Sequence, residues 1–275
     1  GKAMDLKLAG SDESLGQEHI LEVREPEQRF VFKGVSSRPV PSLLRGFSAP
    51  VCLNYAYSND ELGLLLAHDS DSFTRREAGQ LLAMRVMQNL ITDHQEGRPL
   101  SSASILVDSF RTLLKADGLD KALLAESLRL PGEAYVAEQM DVVDVDAIFA
   151  AREAMRKEIA GALRSEFMAI FDSNGETGDY VFDAPAVGRR SLKNTALSYL
   201  MTLNDPDVLQ RCVKQLEARD SMTDVMAALG CLTHIHGPER DAAFASFYDR
   251  WKDDALVTGK WFAIQAVSKR EDTLD

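Results

Sequence analysis

The stretch RPVPSLLRGFSAPVCLNY, residues 38–55, holds three prolines and ends in an alternating run of side chains. Proline has a fixed φ and no amide donor, so it suits crossing segments and the edges of sheets. Side chains alternate from Val51 to Tyr57, and this period of two predicts a strand with one buried face. The stretch therefore indicates a stiff connector leading into a strand, at a junction between two regions.

Short β-type runs precede this junction. Residues 19–24 and 28–33 are rich in Val, Ile and Phe and flank the turn sequence EPE, so they predict a β-hairpin. The sequence MDLKL at 4–8 is a further candidate strand. Because a complete sandwich of the immunoglobulin-like kind needs ~100 residues, we predict only a partial β-sandwich over residues 1–57.

The pattern becomes helical after the junction. Ser58 with Glu61, and Thr74 with Glu77, have the spacing of capping boxes. The longest helix is predicted over about 144–171, where apolar residues recur every three or four positions. Further helices are predicted at about 185–203, 206–219, 221–236, 239–253 and 256–268.

The predicted fold is mainly α. Helices paired by short turns over residues 58–275 are typical of an armadillo- or HEAT-like α-solenoid, and a compact bundle is the alternative. In the longest helix, Arg152, Glu153, Arg156 and Lys157 fall opposite the apolar stripe, which places them on its polar side.

The chain has 275 residues and a net charge of −12. Residues 1–57 hold seven basic and seven acidic side chains, so the acidic excess lies after residue 57. An acidic chain is a poor match for nucleic acid or anionic membranes, which require clustered Lys and Arg. The excess either keeps a large surface soluble or forms an acidic inner face that attracts cationic ligands.

Several residue patterns resemble known sites, but none of them indicates catalysis. No histidine is followed by Glu, so a His-Glu-x-x-His zinc helix is absent from the sequence. His234 and His236 could bind a metal only on extended backbone, and a last helical turn is the preferred interpretation. The sequence DSNGETGD at 172–179 lacks calcium-loop spacing and predicts a solvated turn. Trp251, Trp261 and Phe262 predict packing rather than a substrate platform.

Three cysteines, Cys52, Cys212 and Cys231, are widely spaced and form no Cys-x-x-Cys. An odd number at such spacing disfavours a disulfide framework or a zinc ribbon. We expect buried, reduced thiols. No catalytic, cofactor-binding or metal-binding residue is predicted in this chain.

Longer motifs resemble one family. RPVPSLLRGFSAPV, LLAHDSDSFTRREAGQ, LPGEAYVAEQMDVVDVDAI, LKNTALSYL and FYDRWKDDALVTGKWFAIQA occur here in the order found in the C-terminal half of aminopeptidase N of bacterial and plant type. That family consists of zinc metallo-aminopeptidases. The resemblance implies the end of an immunoglobulin-like domain over residues 1–57 and a helical superhelical domain over 58–275, truncated at its C-terminus.

The resemblance also implies a function. The parent enzyme would remove N-terminal amino acids from peptides, using zinc held upstream in its catalytic domain. The present chain would hold no cofactor, would be inactive alone, and would enclose the active site and limit substrate access. Its partners would be the parent's catalytic domain and peptide substrates, with no nucleic acid and no membrane, in the cytoplasm or, for the parent, an organelle. The alternative is a freestanding α-solenoid scaffold for protein interactions.

Overall fold

The computed structural model describes residues 3–11, 13–176 and 178–273. Twelve α-helices follow a 3-10 turn at Arg45–Phe47 within these residues, so the prediction of a mainly α chain is confirmed. The helices are α1 Asn59–His68, α2 Ser72–Gln95, α3 Ser104–Leu114, α4 Lys121–Ser127, α5 Glu133–Ala137, α6 Val145–Ala162, α7 Arg164–Ser173, α8 Ala184–Leu200, α9 Pro206–Ala218, α10 Met222–Leu232, α11 Pro238–Trp251 and α12 Ala255–Ala266.

The region before α1 contains no extended ladder among its described residues. One isolated antiparallel bridge joins Leu8 to Phe32, flanked by a hydrogen bond from the Ala9 amide to the Val31 carbonyl at 2.8 Å. The predicted hairpin between 19–24 and 28–33 is therefore wrong, because the second run pairs with the start of the chain instead. The run MDLKL does contribute to pairing, through its last residue.

The alternating run after the junction also forms no strand. Val51 and Leu53 are 58% and 45% exposed, whereas Tyr57 is buried. The prediction of one buried face is therefore wrong for most of the run. Alternation creates a potential apolar face, but only a neighbouring strand or helix can bury it.

The junction packs on the turn between α1 and α2. The Arg45 guanidinium contacts Asp69 Oδ1 at 2.6 Å and Glu18 Oε2 at 3.0 Å. The Gly46 amide donates a hydrogen bond to Asp71 Oδ2 at 3.1 Å. Since Asp69 is buried, the Arg45 guanidinium supplies a counter-charge that its carboxylate needs. The junction thus links the N-terminal region to the first helix pair.

Capping residues fix where the first helices begin. Ser58 and Glu61 form the predicted capping box at α1. The second predicted box, with Thr74 as its first residue, is wrong, because α2 begins at Ser72 and Asp71 accepts the Thr74 amide at 2.8 Å. Asp is as effective an N-cap as Ser or Thr. Helix α2 therefore begins after Asp71, three residues before the predicted cap at Thr74.

The predicted long helix over 144–171 is two helices. Leu163 has φ −116° and ψ 20°, which ends α6 and begins α7. The apolar stripe nevertheless continues across the break, with Ile148, Met155, Ile159 and Phe167 all buried. The helical period therefore predicted which residues are buried, but it did not predict the break at Leu163 between α6 and α7.

Helix α8 lies at the centre of the packing and contacts α4, α6, α7, α9 and α10. It approaches α4 closely at Gly188, where an added Cβ would lie 3.1 Å from the Ala122 amide nitrogen and 3.2 Å from Lys121 Cβ. Backbone atoms cannot move away as a flexible side chain can. The contact between α4 and α8 thus favours glycine at this position.

We predict that Gly188→Val destabilises the chain by ~1–3 kcal/mol, since a branched side chain would push α4 away from α8. Gly161→Val is the matched control, because nothing lies within 4 Å of its Cβ position. Urea unfolding followed by circular dichroism measures both. Equal stability of the two variants would contradict a close-packing role for Gly188.

Candidate functional site: a basic pocket beside helices α6 and α8

A cavity of about 610 Å³ is lined by residues of α6, of α8 and of the connection that follows α4. Four arginines line it, and no Asp or Glu is found among its described lining residues. We call it the basic pocket and define it by Arg129, Arg152, Arg156 and Arg190. Such a cluster is unexpected in a chain whose net charge is −12.

Helix α6 supplies two of these arginines. Arg152 and Arg156 are four residues apart, so they lie one turn apart on the same face of the helix. Arg152 donates through Nε to the Pro131 carbonyl at 3.2 Å, and Arg156 donates through Nη2 to the Ser198 carbonyl at 2.9 Å. These carbonyl bonds orient both guanidinium groups at the pocket without neutralising them.

Helix α8 and the segment before it form the opposite side. Arg190 is 2% exposed and pairs with Glu176 Oε1 at 2.6 Å. Its guanidinium also lies 4.9 Å from the centroid of the Tyr180 ring. The carboxylate of Glu176 thus holds the segment between α7 and α8 against the pocket, where Tyr180 and Phe182 are lining residues.

A buried polar network lies next to the pocket and joins α8, α9 and α10. Lys193 Nζ contacts Asp224 Oδ2 at 2.6 Å. Asn194, which also lines the pocket, donates to Asp224 Oδ1 at 2.8 Å. Gln215 then donates to Asn194 Oδ1 at 2.8 Å. Since Lys193 and Asp224 are both buried, their charges are compensated mainly by each other.

A second cavity, of about 810 Å³, lies beside the first and is more apolar. Val213, Leu216 and Trp251 are among the residues that line it. Tyr180 lines both cavities. The basic pocket therefore has an apolar neighbour, and a single aromatic ring belongs to both.

His234 and His236, the two possible metal ligands of the sequence, lie in the turn after α10. They were predicted in a last helical turn, but the helix ends before them, at Leu232. His234 Nδ1 accepts the Lys269 amide at 3.3 Å. Burial, followed by the positive charges of Lys269 and Arg156, holds the pKa of His234 below its usual value. A ring already engaged with a backbone amide is a structural residue here.

The segment 172–179 is described except for Thr177. The prediction of a solvated turn is wrong for Glu176, whose side chain is only 8% exposed and pairs with Arg190. Asn174 is also buried and accepts Lys121 Nζ at 2.7 Å. Tertiary partners distant in the sequence supply both contacts.

The aromatic residues near the C-terminus pack together. Trp261 Nε1 donates to the Phe244 carbonyl at 2.9 Å, and its ring centroid is 5.0 Å from those of Tyr248 and Phe262. Trp251 is half-buried against the core. The packing interpretation therefore fits Trp261, whereas Phe262 remains 61% exposed.

The cysteines differ in exposure. Cys212 is buried and Cys231 is half-buried, but Cys52 is exposed, so the expectation of buried thiols is wrong for Cys52. All three are free thiols. Contact with the Cys231 thiol and burial raise the pKa of Cys212, which keeps that thiol protonated and unreactive.

Two family models match almost the whole chain. Residues 59–275 match the model described as "Domain of unknown function (DUF3458_C) ARM repeats". The chain belongs to this family of ARM-repeat domains. Residues 4–56 match "Domain of unknown function (DUF3458) Ig-like fold". The predicted armadillo-like character of the helical part is thus confirmed, and the N-terminal match carries the Ig-like description although its described residues contain no ladder.

Known proteins of similar sequence are aminopeptidases. Aminopeptidase N of Escherichia coli (strain K12) is 35% identical over 277 residues, covering 100% of this chain and 31% of that protein. Aminopeptidase N of Haemophilus influenzae is 32% identical over 256 residues, covering 93% of this chain and 29% of that protein. The predicted family resemblance is confirmed: the chain corresponds to the C-terminal portion of aminopeptidase N.

A solved structure agrees with these relatives. The crystal structure of Legionella pneumophila aminopeptidase A in complex with aspartic acid matches with a TM-score of 0.77 and 28% identity, covering 98% of this chain and 32% of that one. The present chain therefore spans about a third of the length of the proteins it matches.

The zinc implied by the family does not fit the residues of this chain. A catalytic zinc takes three protein ligands and a water molecule. Across 3–11, 13–176 and 178–273, no group of three or more His, Cys, Asp or Glu side chains is placed to hold a metal ion.

The described part of the chain also contains no helix long and apolar enough to cross a bilayer.

The basic pocket was missed by sequence reasoning. The helical period places Arg152 and Arg156 on a polar helix side, and nothing in the sequence connects them with Arg190 on α8. The available signal was the pair of arginines four residues apart, because like charges at that spacing are unfavourable on an isolated helix. Such a pair indicates that the surroundings, or a ligand, compensate the charge.

We predict that Lys193→Met destabilises the chain by ~3–5 kcal/mol, because Asp224 would be left buried without its counter-charge. Lys260→Met is the control, since Lys260 is exposed and surface changes stay within about 0.5 kcal/mol. Adding Asp224→Leu to Lys193→Met should restore part of the loss. Chemical unfolding measures all three, and a Lys193→Met variant as stable as the control would contradict the prediction.

Proposed function

We propose that this chain is the non-catalytic C-terminal portion of a zinc-dependent aminopeptidase that removes N-terminal amino acids from peptides. The observation that supports the proposal is the 35% identity to an aminopeptidase N along the full 275 residues. In this proposal zinc and the catalytic residues belong to a separate catalytic domain, and no residue of the present chain is catalytic, binds a cofactor or binds metal.

The proposed role of the chain is to enclose the active site and to restrict access to it. Paired helices of the ARM type stack into curved surfaces, which suits an enclosing part. Its partners are then the catalytic domain of the same protein and the peptide substrates, without nucleic acid or membrane. A cytoplasmic location is part of the proposal.

We also propose two domains, residues 1–57 and residues 58–275. The separate family matches to 4–56 and 59–275 support this boundary. The capping box at Ser58 supports it as well, because it begins the first helix directly after the junction.

We expect the isolated chain to release no amino acid from Ala- or Leu-type fluorogenic aminoacyl substrates and to bind no stoichiometric zinc by elemental analysis. The reason is the missing ligand set among its described residues. The same chain joined to an upstream catalytic domain with a His-Glu-x-x-His sequence is the positive control. Turnover by the isolated chain that a chelator abolishes would contradict the proposal.

The enclosing role is tested in the joined protein. Single cysteines are placed in this chain and in the catalytic domain beside its zinc site, and bifunctional crosslinkers of increasing length connect them. If the chain restricts access, crosslinking lowers kcat/KM more for long peptides than for an aminoacyl fluorogenic substrate. Equal effects on both substrates would favour a freestanding scaffold role for these helices.

A further inference from the structure

The arginines on α6 lack adequate counter-charges. In the described chain, the one carboxylate within ion-pairing distance of Arg152 is Glu133, at 3.9 Å. The corresponding group for Arg156 is Glu153, at 3.5 Å. Both distances exceed the roughly 2.7–2.9 Å of a charge-assisted hydrogen bond. Glu153 is also engaged by Lys269, which shares its negative charge.

The neighbouring arginines are better compensated. Arg190 has Glu176 at 2.6 Å. Arg129 lies at the exposed rim and has Glu126 at 3.2 Å. The unbalanced positive charge of the basic pocket is therefore concentrated at Arg152 and Arg156. Their side chains are only 22% and 19% exposed, so water cannot fully screen them.

The electrostatic state of Arg152 agrees with this geometry. Burial, and then the positive charge of Arg156, lower the pKa of Arg152 below its ordinary value, while Glu133 and Glu153 only partly oppose them. An anion bound between the two guanidinium groups would offset the repulsion between them, and its charge would compensate Arg152 in its partly buried position. The protein thus maintains an unfavourable like-charge pair at a cavity of ligand size.

We propose that the basic pocket binds the carboxylate of a ligand with an apolar body, held between Arg152 and Arg156. A planar guanidinium matches a carboxylate through two parallel hydrogen bonds. Leu130, Tyr180 and Phe182 line the same cavity and provide apolar surface for the rest of the ligand. The inference goes beyond the proposed peptidase role and does not require it.

A carboxylate fits this setting better than a phosphate. Burying a phosphate with about two negative charges next to apolar side chains costs more desolvation than burying a single charge. The carboxylate could come from the C-terminus of a peptide or from a small free acid. These two sources share the same chemistry at the arginines and differ only in the body of the ligand.

The test is calorimetric titration of the 275-residue chain with four probes. They are N-acetyl-Leu-Phe with a free carboxylate, its C-terminal amide, 3-phenylpropionate and inorganic phosphate. We expect a free carboxylate to bind at least about tenfold more tightly than the amide, because charge-assisted bonds are lost in the amide. Preference for the acetylated dipeptide indicates a peptide C-terminus, and equal binding of 3-phenylpropionate indicates a small acid.

Variants locate the site. Arg152→Gln and Arg156→Gln should each weaken carboxylate binding by about ten- to a hundredfold, while Arg76→Gln, an equal charge change at an exposed position of α2, should leave it unchanged. Arg152→Lys should also weaken binding, because an ammonium cannot make the paired hydrogen bonds. Thermal unfolding of each variant checks that it is folded.

Three outcomes would overturn the proposal. The first is equal affinity of the amide and the free carboxylate for the unmodified chain, which needs no variant and no assumption about folding. The second is tighter binding of phosphate than of either carboxylate. The third is unchanged affinity in folded Arg152→Gln and Arg156→Gln chains. None of these results would bear on the proposed peptidase role, which is tested by activity and zinc content.

Discussion

Helix α8 approaches α4 so closely at Gly188 that the Ala122 backbone occupies the space beside the missing side chain. This contact allows α8 to pack tightly on α4, and α8 also packs against α6, α7, α9 and α10. No helix of such a stacked array can bury its apolar side alone, so each depends on its neighbours. A displacement of α8 would therefore change the packing of both the helices before it and those after it.

The position of α8 also connects the core to the basic pocket. Arg190 and Asn194 both line the pocket and lie one turn apart, while Lys193 faces the buried carboxylate of Asp224. Asn194 donates to the same carboxylate. One side of the pocket is thus anchored to the buried network across α9 and α10. A site that is fixed before binding avoids part of the ordering cost that a flexible site would incur.

Local physics explains what the sequence could predict. Helix periodicity and end signals placed α8 to α12 within a few residues, because caps, Gly and Pro act on neighbouring backbone groups. The break at Leu163 was not predictable from an apolar stripe that continues across it. The strands failed for a different reason: pairing needs partners distant in the sequence, and Phe32 pairs with Leu8 rather than with the nearer run.

Net charge was the least informative sequence property for the site. The excess of acidic residues was compatible with a solubilising surface or with an acidic inner face, and neither alternative points to a cavity lined by arginine. In sequence, Glu153 lies between Arg152 and Arg156, which suggests internal neutralisation. In the fold, Glu153 is engaged by Lys269, and it remains 3.5 Å from Arg156. A like-charge pair that is unfavourable on an isolated helix becomes still less favourable when half-buried. The positive charge at α6 therefore lacks a full counter-charge within the described chain, and an anionic ligand is the simplest group that would supply one.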